Sequence, residues 1–390
     1  MDWNRFLSQQ IVGMPKSGIR EFFDLVIGSK GIISLGVGEP DFVTPWNIRE
    51  AAIFSLEKGH TTYTSNYGLE SLRREISKYV AGFFHVEYDP LCEILPTVGA
   101  SQAIDLALRC LLNPGDEVLY HEPAYVSYAA NVALAYAKAT PVETSIDDLF
   151  ALSPERLEAA ITPKTKVLML NFPTNPTGSI APLETLKKIA EICIKHDIFV
   201  LTDEIYSELR YDGVEHTSIA ALPGMKERTL LIHGFSKAFA MTGLRLGYAC
   251  GPKELIEMMV KVHSYTMICP TITSQEAGIE ALQHGKSAME EMRDSYHMRR
   301  DYIVKRFNDM GMDCHMPGGA FYTFPSVKRF GLSSKEFAMR LLKEHQVAAV
   351  PGTAFGACGE GYLRCCYATG FNLLEQACDK MEKFCESLKA

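Results

Sequence analysis

The sequence predicts an α/β fold: a large domain built on a mostly parallel, doubly wound sheet, with a smaller α+β domain. Three observations predict it. Strand-like and helix-like stretches alternate from about residue 90 to 250, the pattern of repeated strand–helix–strand units. Lys166-Val-Leu-Met-Leu-Asn171 is a continuous apolar run, as a strand buried on both faces requires. From Lys253 onward the pattern is mainly helical, with short strand-like pieces that suit a second unit. The 390 residues and 47% hydrophobic content supply core enough for both. The division expected is residues 46–280 for the large domain, with 1–45 and 281–390 together forming the small one.

The elements can be taken in order. A helix is expected around Ser17-Gly-Ile-Arg-Glu-Phe-Phe-Asp-Leu-Val26, then a short strand at Ile32–Leu35. Gly36-Val-Gly-Glu-Pro-Asp-Phe42 is a turn-rich loop whose glycines allow backbone to approach a ligand, although an ordinary inter-domain loop reads the same way. Helices are expected from about Pro45 to Lys58 and from Leu69 to Phe83. Between them lies Thr61-Thr-Tyr-Thr-Ser-Asn-Tyr-Gly68, whose Tyr63 and Tyr67 suit either a site or a surface turn. Glu93–Val98 reads as a strand, and Gly99-Ala-Ser-Gln-Ala103 opens a helix running to about Leu112. A small-residue turn at a helix start leaves backbone N–H groups free for a phosphate. It is neither a Walker A loop nor a GxGxxG fingerprint.

Beyond the turn at Asn113–Asp116, the strand Glu117–His121 leads to Pro123-Ala-Tyr-Val-Ser-Tyr128. That segment puts Tyr125 where ligands of open α/β sheets bind, or merely under a loop. The apolar strand ending at Asn171 runs into Phe172-Pro-Thr-Asn-Pro-Thr-Gly178, where Asn175 offers both a donor and an acceptor. A helix (Leu183–His196) and a strand (Ile198–Thr202) then lead to Asp203-Glu-Ile-Tyr206. A carboxylate at a buried strand end is costly unless it meets a cation. Lys286–Met310 is charged and periodic and predicts one long helix between domains. Gly319–Phe324, Val347–Gly352 and Gly361–Ala368 are expected as strands of the small domain. Arg364, inside the last of these, needs a carboxylate from the protein or from a ligand.

The chain is organised around Leu231-Ile-His-Gly-Phe-Ser-Lys-Ala-Phe-Ala-Met-Thr-Gly-Leu-Arg-Leu-Gly-Tyr248. Apolar and small residues after Lys237 leave its ammonium little water, so its pKa should fall. A lowered pKa suits a lysine that acts as an amine nucleophile. Arg245, eight positions on, keeps its charge and suits a phosphate. A lysine snorkelling from a strand end fits this segment equally well.

Composition narrows the class. A net charge of −8 without clustering argues against nucleic acid and against an anionic membrane surface. Eleven cysteines with no CxxC pair point to reduced thiols and a cytoplasmic protein. The first residues, MDWNRFLSQQ, do not read as a signal peptide, and no apolar run is long enough to span a bilayer. No metal site is expected.

Taken in order, the Gly-Ala-Ser turn, NPTG, DEIY and FSKAFAMTGLRLGY resemble a class I/II aminotransferase of the fold type I pyridoxal-phosphate enzymes. The resemblance runs from about Ser17 to Phe384. SLGVGEPDF, PAYVSYA and VPGTAFGACGEGYLR make it most similar to the prokaryotic aspartate, aromatic and N-acetyl-diaminopimelate aminotransferases. The resemblance implies a role for each matching residue. Lys237 would bind pyridoxal 5'-phosphate covalently and later shuttle the substrate's proton. Asp203 would pair with the pyridine nitrogen. Tyr206 and Asn175 would hydrogen-bond the ring's phenolic oxygen, and Tyr125 would stack on the ring. Backbone N–H groups of Ala100 and Ser101, with Ser236 and Arg245, would hold the phosphate. Tyr63 would reach the phosphate of a neighbouring subunit, implying a homodimer with shared sites. Arg364 would clamp the substrate α-carboxylate, and Gly38 would contact it on closure of the N-terminal segment.

This sequence also departs from the family's pattern. Gly234 stands where many relatives have Ser or Thr, Tyr125 where tryptophan is common, and no lysine lies near Ser101 as in some aspartate-preferring relatives. The expected activity is ping-pong transfer from an L-amino acid, aromatic or broad in range, to 2-oxoglutarate. A β-lyase acting on cystathionine-like substrates would use the same residues. A non-catalytic regulatory module of this family would carry a DNA-binding domain, for which a match beginning near Ser17 leaves no room.

Overall fold

A computed structural model of the chain describes residues 1–14, 18 and 31–388. The helix expected at Ser17–Val26 lies outside the described residues, but for Gly18. Seven strands form the main sheet: β2 (Ile94–Thr97), β3 (Glu117–Glu122), β4 (Lys138–Glu143), β5 (Thr165–Asn171), β6 (Phe199–Asp203), β7 (Thr229–Gly234) and β8 (Gly247–Cys250), in the spatial order β2-β8-β7-β6-β5-β3-β4. Strands β4, β3, β5, β6 and β7 pair in parallel, while β8 runs antiparallel to both β7 and β2.

The alternation of side chains along β5 explains why both faces are covered. Val167 and Met169 face one core layer, with Ile104 and Leu108 of the helix Gly99–Leu111 and Ile256 of the helix Lys253–Thr266. Leu168 and Leu170 face the other, with Leu186 and Ile189 of the helix Leu183–Lys195. A period of two on a strand buried from both sides gives the continuous apolar run seen in the sequence. Leu72, Ile76, Val80 and Phe84, spaced four apart, are the buried stripe of the helix Glu70–Phe84.

The C-terminal part is built on a three-stranded antiparallel sheet of β9 (Tyr322–Thr323), β11 (Val350–Pro351) and β12 (Leu363–Cys366), ordered β11-β12-β9. Strand β1 (Ile33–Ser34) pairs in parallel with β10 (Val347–Ala348), tying the N-terminal segment to this part. Lys286–Met310 is a single helix, closed by Gly311 at φ 84°. The helix Ser334–His345 starts on a capping residue, since Ser333 Oγ accepts the Glu336 N–H.

Two expected strands are shorter or divided. Val347–Gly352 splits into β10 and β11, which belong to different sheets, and Pro351 has no N–H to extend a ladder. Gly319–Phe324 is reduced to Tyr322–Thr323, and Ala320 before it sits at φ 58°, outside strand geometry. Strands β4 and β8 were not expected from the sequence.

Ile76 is fully buried. Ile76→Ala should lower the unfolding free energy by about 2–5 kcal/mol, read as a shift in denaturant midpoint. An unchanged midpoint would contradict the packing of this helix.

Candidate active site

The parallel strands all end at one edge, and the site is assembled there. Asn171 ends β5, Asp203 ends β6, and Ser236 and Lys237 follow β7 by two and three residues. Tyr125 follows β3, and the turn after β2 opens the helix Gly99–Leu111. Arg364 enters from β12 and Gly38 from the N-terminal segment after β1. A cavity of about 390 Å³ is bounded by Gly38, Ala100, Ser101, Tyr125, Asn175, Asp203, Tyr206, Ser236, Lys237, Arg245 and Arg364. Every residue given a role by the resemblance is therefore brought together except Tyr63, which is 78% exposed and lies outside the lining, as does Tyr67, which packs against the core.

At one end of the cavity, Gly99 sits at φ +75° and a Cβ there would lie 2.7 Å from Arg245 Nη2. A side chain at Gly247 would lie 2.5 Å from the Ala100 nitrogen. Two glycines thus allow the helix start, Arg245 and β8 to meet. The first N–H groups of this helix have no intrahelical partner, and a guanidinium stands beside them: together they form an anion cradle. Arg245 itself donates to the Thr242 carbonyl at 3.1 Å. The missing hydroxyl at Gly234 also has a steric cause. A Cβ there would come within 3.0 Å of the Gly247 Cα and 3.1 Å of the Leu246 oxygen.

Asp203 is 7% exposed and pairs with no cation among the described residues. The cation that a buried carboxylate calls for is thus not supplied by the described residues. Its Oδ2 accepts the Tyr128 hydroxyl at 2.8 Å and its Oδ1 the Ile205 N–H at 3.3 Å. Burial pushes its pKa up to about 6, against the pull of those two hydrogen bonds. Asn171 donates to the Asp203 carbonyl at 2.8 Å, and its own side-chain oxygen accepts the Asn175 N–H at 2.9 Å. One side chain therefore fixes the two neighbouring strand ends.

Lys237 is half-buried and donates to the Gly38 carbonyl at 2.7 Å. Its Nζ lies 5.6 Å from the Phe321 ring centroid and 6.0 Å from that of Tyr206. Burial lowers its pKa to about 8; Arg364 and Arg245 act in the same direction, while Cys366 and Glu39 oppose them.

Arg364 is 2% exposed. It donates to Asn175 Oδ1 at 3.0 Å and to the Gly36 carbonyl at 2.6 Å, and its Nε has no hydrogen-bond partner among the described residues. Its guanidinium lies between the rings of Tyr322 (4.6 Å) and Phe355 (4.7 Å). The described residues give it neutral oxygens and aromatic faces, and no carboxylate. Sequence reasoning missed Tyr128, Asn171 and Tyr322. Tyr128 lies three residues after Tyr125, one turn along the chain, which was the available signal for it.

The family model for aminotransferase class I and II matches residues 30–381. The chain is 47% identical to the aspartate aminotransferase of Pyrococcus abyssi, covering 97% of each chain. It is 45% identical to aromatic-amino-acid aminotransferase 2 of Thermococcus litoralis, covering 98% of this chain and 99% of that one. Among solved structures, the aromatic aminotransferase of Pyrococcus horikoshii OT3 superposes with a TM-score of 0.91 at 44% identity, over 95% of this chain and 99% of that chain.

The depressed lysine pKa makes a direct expectation. In cofactor-free protein, an amine-directed reagent should modify Lys237 with a rate that rises through a midpoint at about pH 8. The amine is the reactive form, so lowering the pKa moves the rise to lower pH. Peptide mapping across a pH series checks this; a midpoint at the ordinary lysine value, about 10.4, would contradict the burial argument.

Proposed function

The chain belongs to the class I and II aminotransferases, a family of enzymes that use pyridoxal phosphate, and from that premise we propose an aminotransferase of aromatic or broad donor range with 2-oxoglutarate as acceptor. The donor leaves as its 2-oxo acid before the acceptor enters the same cavity. Arg364 carries this reading. A buried guanidinium with an unpaired Nε and only neutral partners calls for an anion. The α-carboxylate is the group that every amino acid and every 2-oxo acid share, so one arginine serves both half-reactions.

The residues fit the cofactor. The cradle of Ala100, Ser101, Ser236 and Arg245 suits its phosphate, with Gly99 and Gly247 supplying the close approach. Asp203 is a buried carboxyl with no cation partner among the described residues, and a pyridinium nitrogen would supply one and keep it ionised. Tyr206 and Asn175 are the donors for the ring oxygen, Tyr125 is the stacking partner and Lys237 the attachment point. When bound, the cofactor supplies the electron sink for bond breaking at the substrate α-carbon. Lys237 then moves the α-carbon proton, a task suited to an amine whose pKa is about 8. Gly36 and Gly38 bring the N-terminal segment against Arg364 and Lys237, where it keeps water from the reacting carbon.

The donor preference rests on the lining. Val37 and Ile104 add apolar surface, and Ser101 offers no charge for a second carboxylate. The exposed aromatic side chains of Trp46, Phe54, Tyr63 and Tyr265 support a homodimer, in which Tyr63 of each protomer reaches the partner's phosphate cradle. Residues 46–280 form the large domain in this reading, and 1–45 with 281–390 the small one. No disulfide joins the cysteines among the described residues, which suits a reducing cytoplasm.

Steady-state rates with tyrosine, phenylalanine, aspartate and alanine as donors test the preference. The aromatic donors should lead, and aspartate dominating by about tenfold or more would contradict that range. Arg364→Lys should raise KM for every donor on the order of 100-fold, because the bidentate contact is lost while cofactor absorbance is kept. A KM within about twofold of wild type would remove Arg364 from the carboxylate site.

A further inference from the structure

The phenols of Tyr206 and Tyr322 lie 2.9 Å apart, oxygen to oxygen, and both side chains are buried. Tyr322 stands on β9, 116 positions along the chain from Tyr206. Its ring face lies 4.6 Å from the Arg364 guanidinium. A side chain at Gly38 would collide with its hydroxyl, so the N-terminal segment also closes against it. One residue therefore touches the ring-oxygen donor, the carboxylate clamp and the closing segment.

A phenol has one proton to give and lone pairs to receive another. Between two phenols only one proton occupies the shared hydrogen bond. If Tyr206 gives its proton to the cofactor's ring oxygen, the proton between the two tyrosines must come from Tyr322. No other group hydrogen-bonds the Tyr206 hydroxyl among the described residues. The donors then run in one direction, Tyr322 to Tyr206 to the ring oxygen, and each polarises the next.

We propose that Tyr322 is a positioning residue for both halves of the reaction centre: its hydroxyl fixes Tyr206 as a donor to the ring oxygen, and its ring supports Arg364. The proposal rests on the reading of Lys237 as the cofactor lysine. A donor on the ring oxygen competes for that oxygen with the proton on the lysine–cofactor nitrogen, so it favours loss of that proton. Without the Tyr322 hydroxyl, Tyr206 is a weaker donor and the nitrogen keeps its proton to higher pH. The charged and titratable groups facing this pair are Asp203, Lys237, Arg364 and Cys366. Tyr125, Glu39 and Arg245 act from further out in the cavity. All of them are unchanged in the Tyr322 variants, so they cancel in the comparison.

The test is a pH titration of the visible absorbance of the holoenzyme, set beside KM for amino donors. In Tyr322→Phe the spectral transition should move up by about half to one pH unit. KM should stay within about twofold, because the ring under Arg364 is kept. In Tyr322→Leu the same upward movement should come with a KM rise of about tenfold. In a Tyr206→Phe background, adding Tyr322→Phe should move the transition no further. A Tyr322→Phe enzyme that titrates like wild type would overturn the role of the hydroxyl, and an unchanged KM in Tyr322→Leu the role of the ring. A further shift in the Tyr206→Phe background would overturn the route through Tyr206. Wild-type protein with no visible band after excess cofactor would overturn the reading of Lys237 and this proposal with it, an outcome distinct from the others.

Discussion

An amine, a carboxyl and a guanidinium share one cavity, and the described residues give none of them an ion-pair partner. Stripping charges of water is expensive, by several kcal/mol per ion in real proteins. The fold meets that cost with neutral groups. Asp203 takes a phenol and a backbone N–H, Lys237 a carbonyl, and Arg364 an amide oxygen, a carbonyl and two ring faces. These partners hold the groups in place while leaving their charges unanswered. In the proposed function, a ring cation would answer Asp203, a substrate carboxylate Arg364, and covalent attachment of the cofactor would remove the charge of Lys237.

The sheet makes such a cavity possible. Five parallel strands covered on both faces drive their ends to one edge, and the chain can place polar residues there without breaking the core. Strand β8, running the other way, closes the cavity from the side and brings Gly247 against the helix start at Gly99. The three-stranded sheet then delivers Arg364 and Tyr322 on adjacent strands, β12 and β9. The Arg364 guanidinium and the Tyr206 phenol thus come from different layers of the molecule, linked through Tyr322, whose hydroxyl meets that of Tyr206.

Much of this was legible in the sequence because it is local. The run Lys166–Asn171 announces a doubly buried strand, and Asn175, Asp203, Ser236 and Lys237 each sit within a few residues of a strand end. Arg364 stood out as a charge in an apolar strand. What was not legible depends on distant pairs. Tyr128 matters because Asp203, 75 positions away, folds onto it. Tyr322 matters because of Tyr206 and Arg364. Asn171 looked like the last residue of an apolar run, and its role appears only when β6 lies beside β5. Strand β8 comes after a stretch rich in small residues, and its four residues carry too little pattern to be read alone. The division between β10 and β11 is set by two different partner strands, which local pattern does not encode.

In the proposed function, Lys237 is the amine that binds the cofactor. Borohydride reduction of the purified protein with added pyridoxal phosphate, followed by peptide mass mapping, tests it most directly. A stable pyridoxyl adduct is expected on the peptide containing Lys237, with no specific adduct in Lys237→Ala. An adduct confined to other lysines, or none at all in wild-type protein, would contradict it.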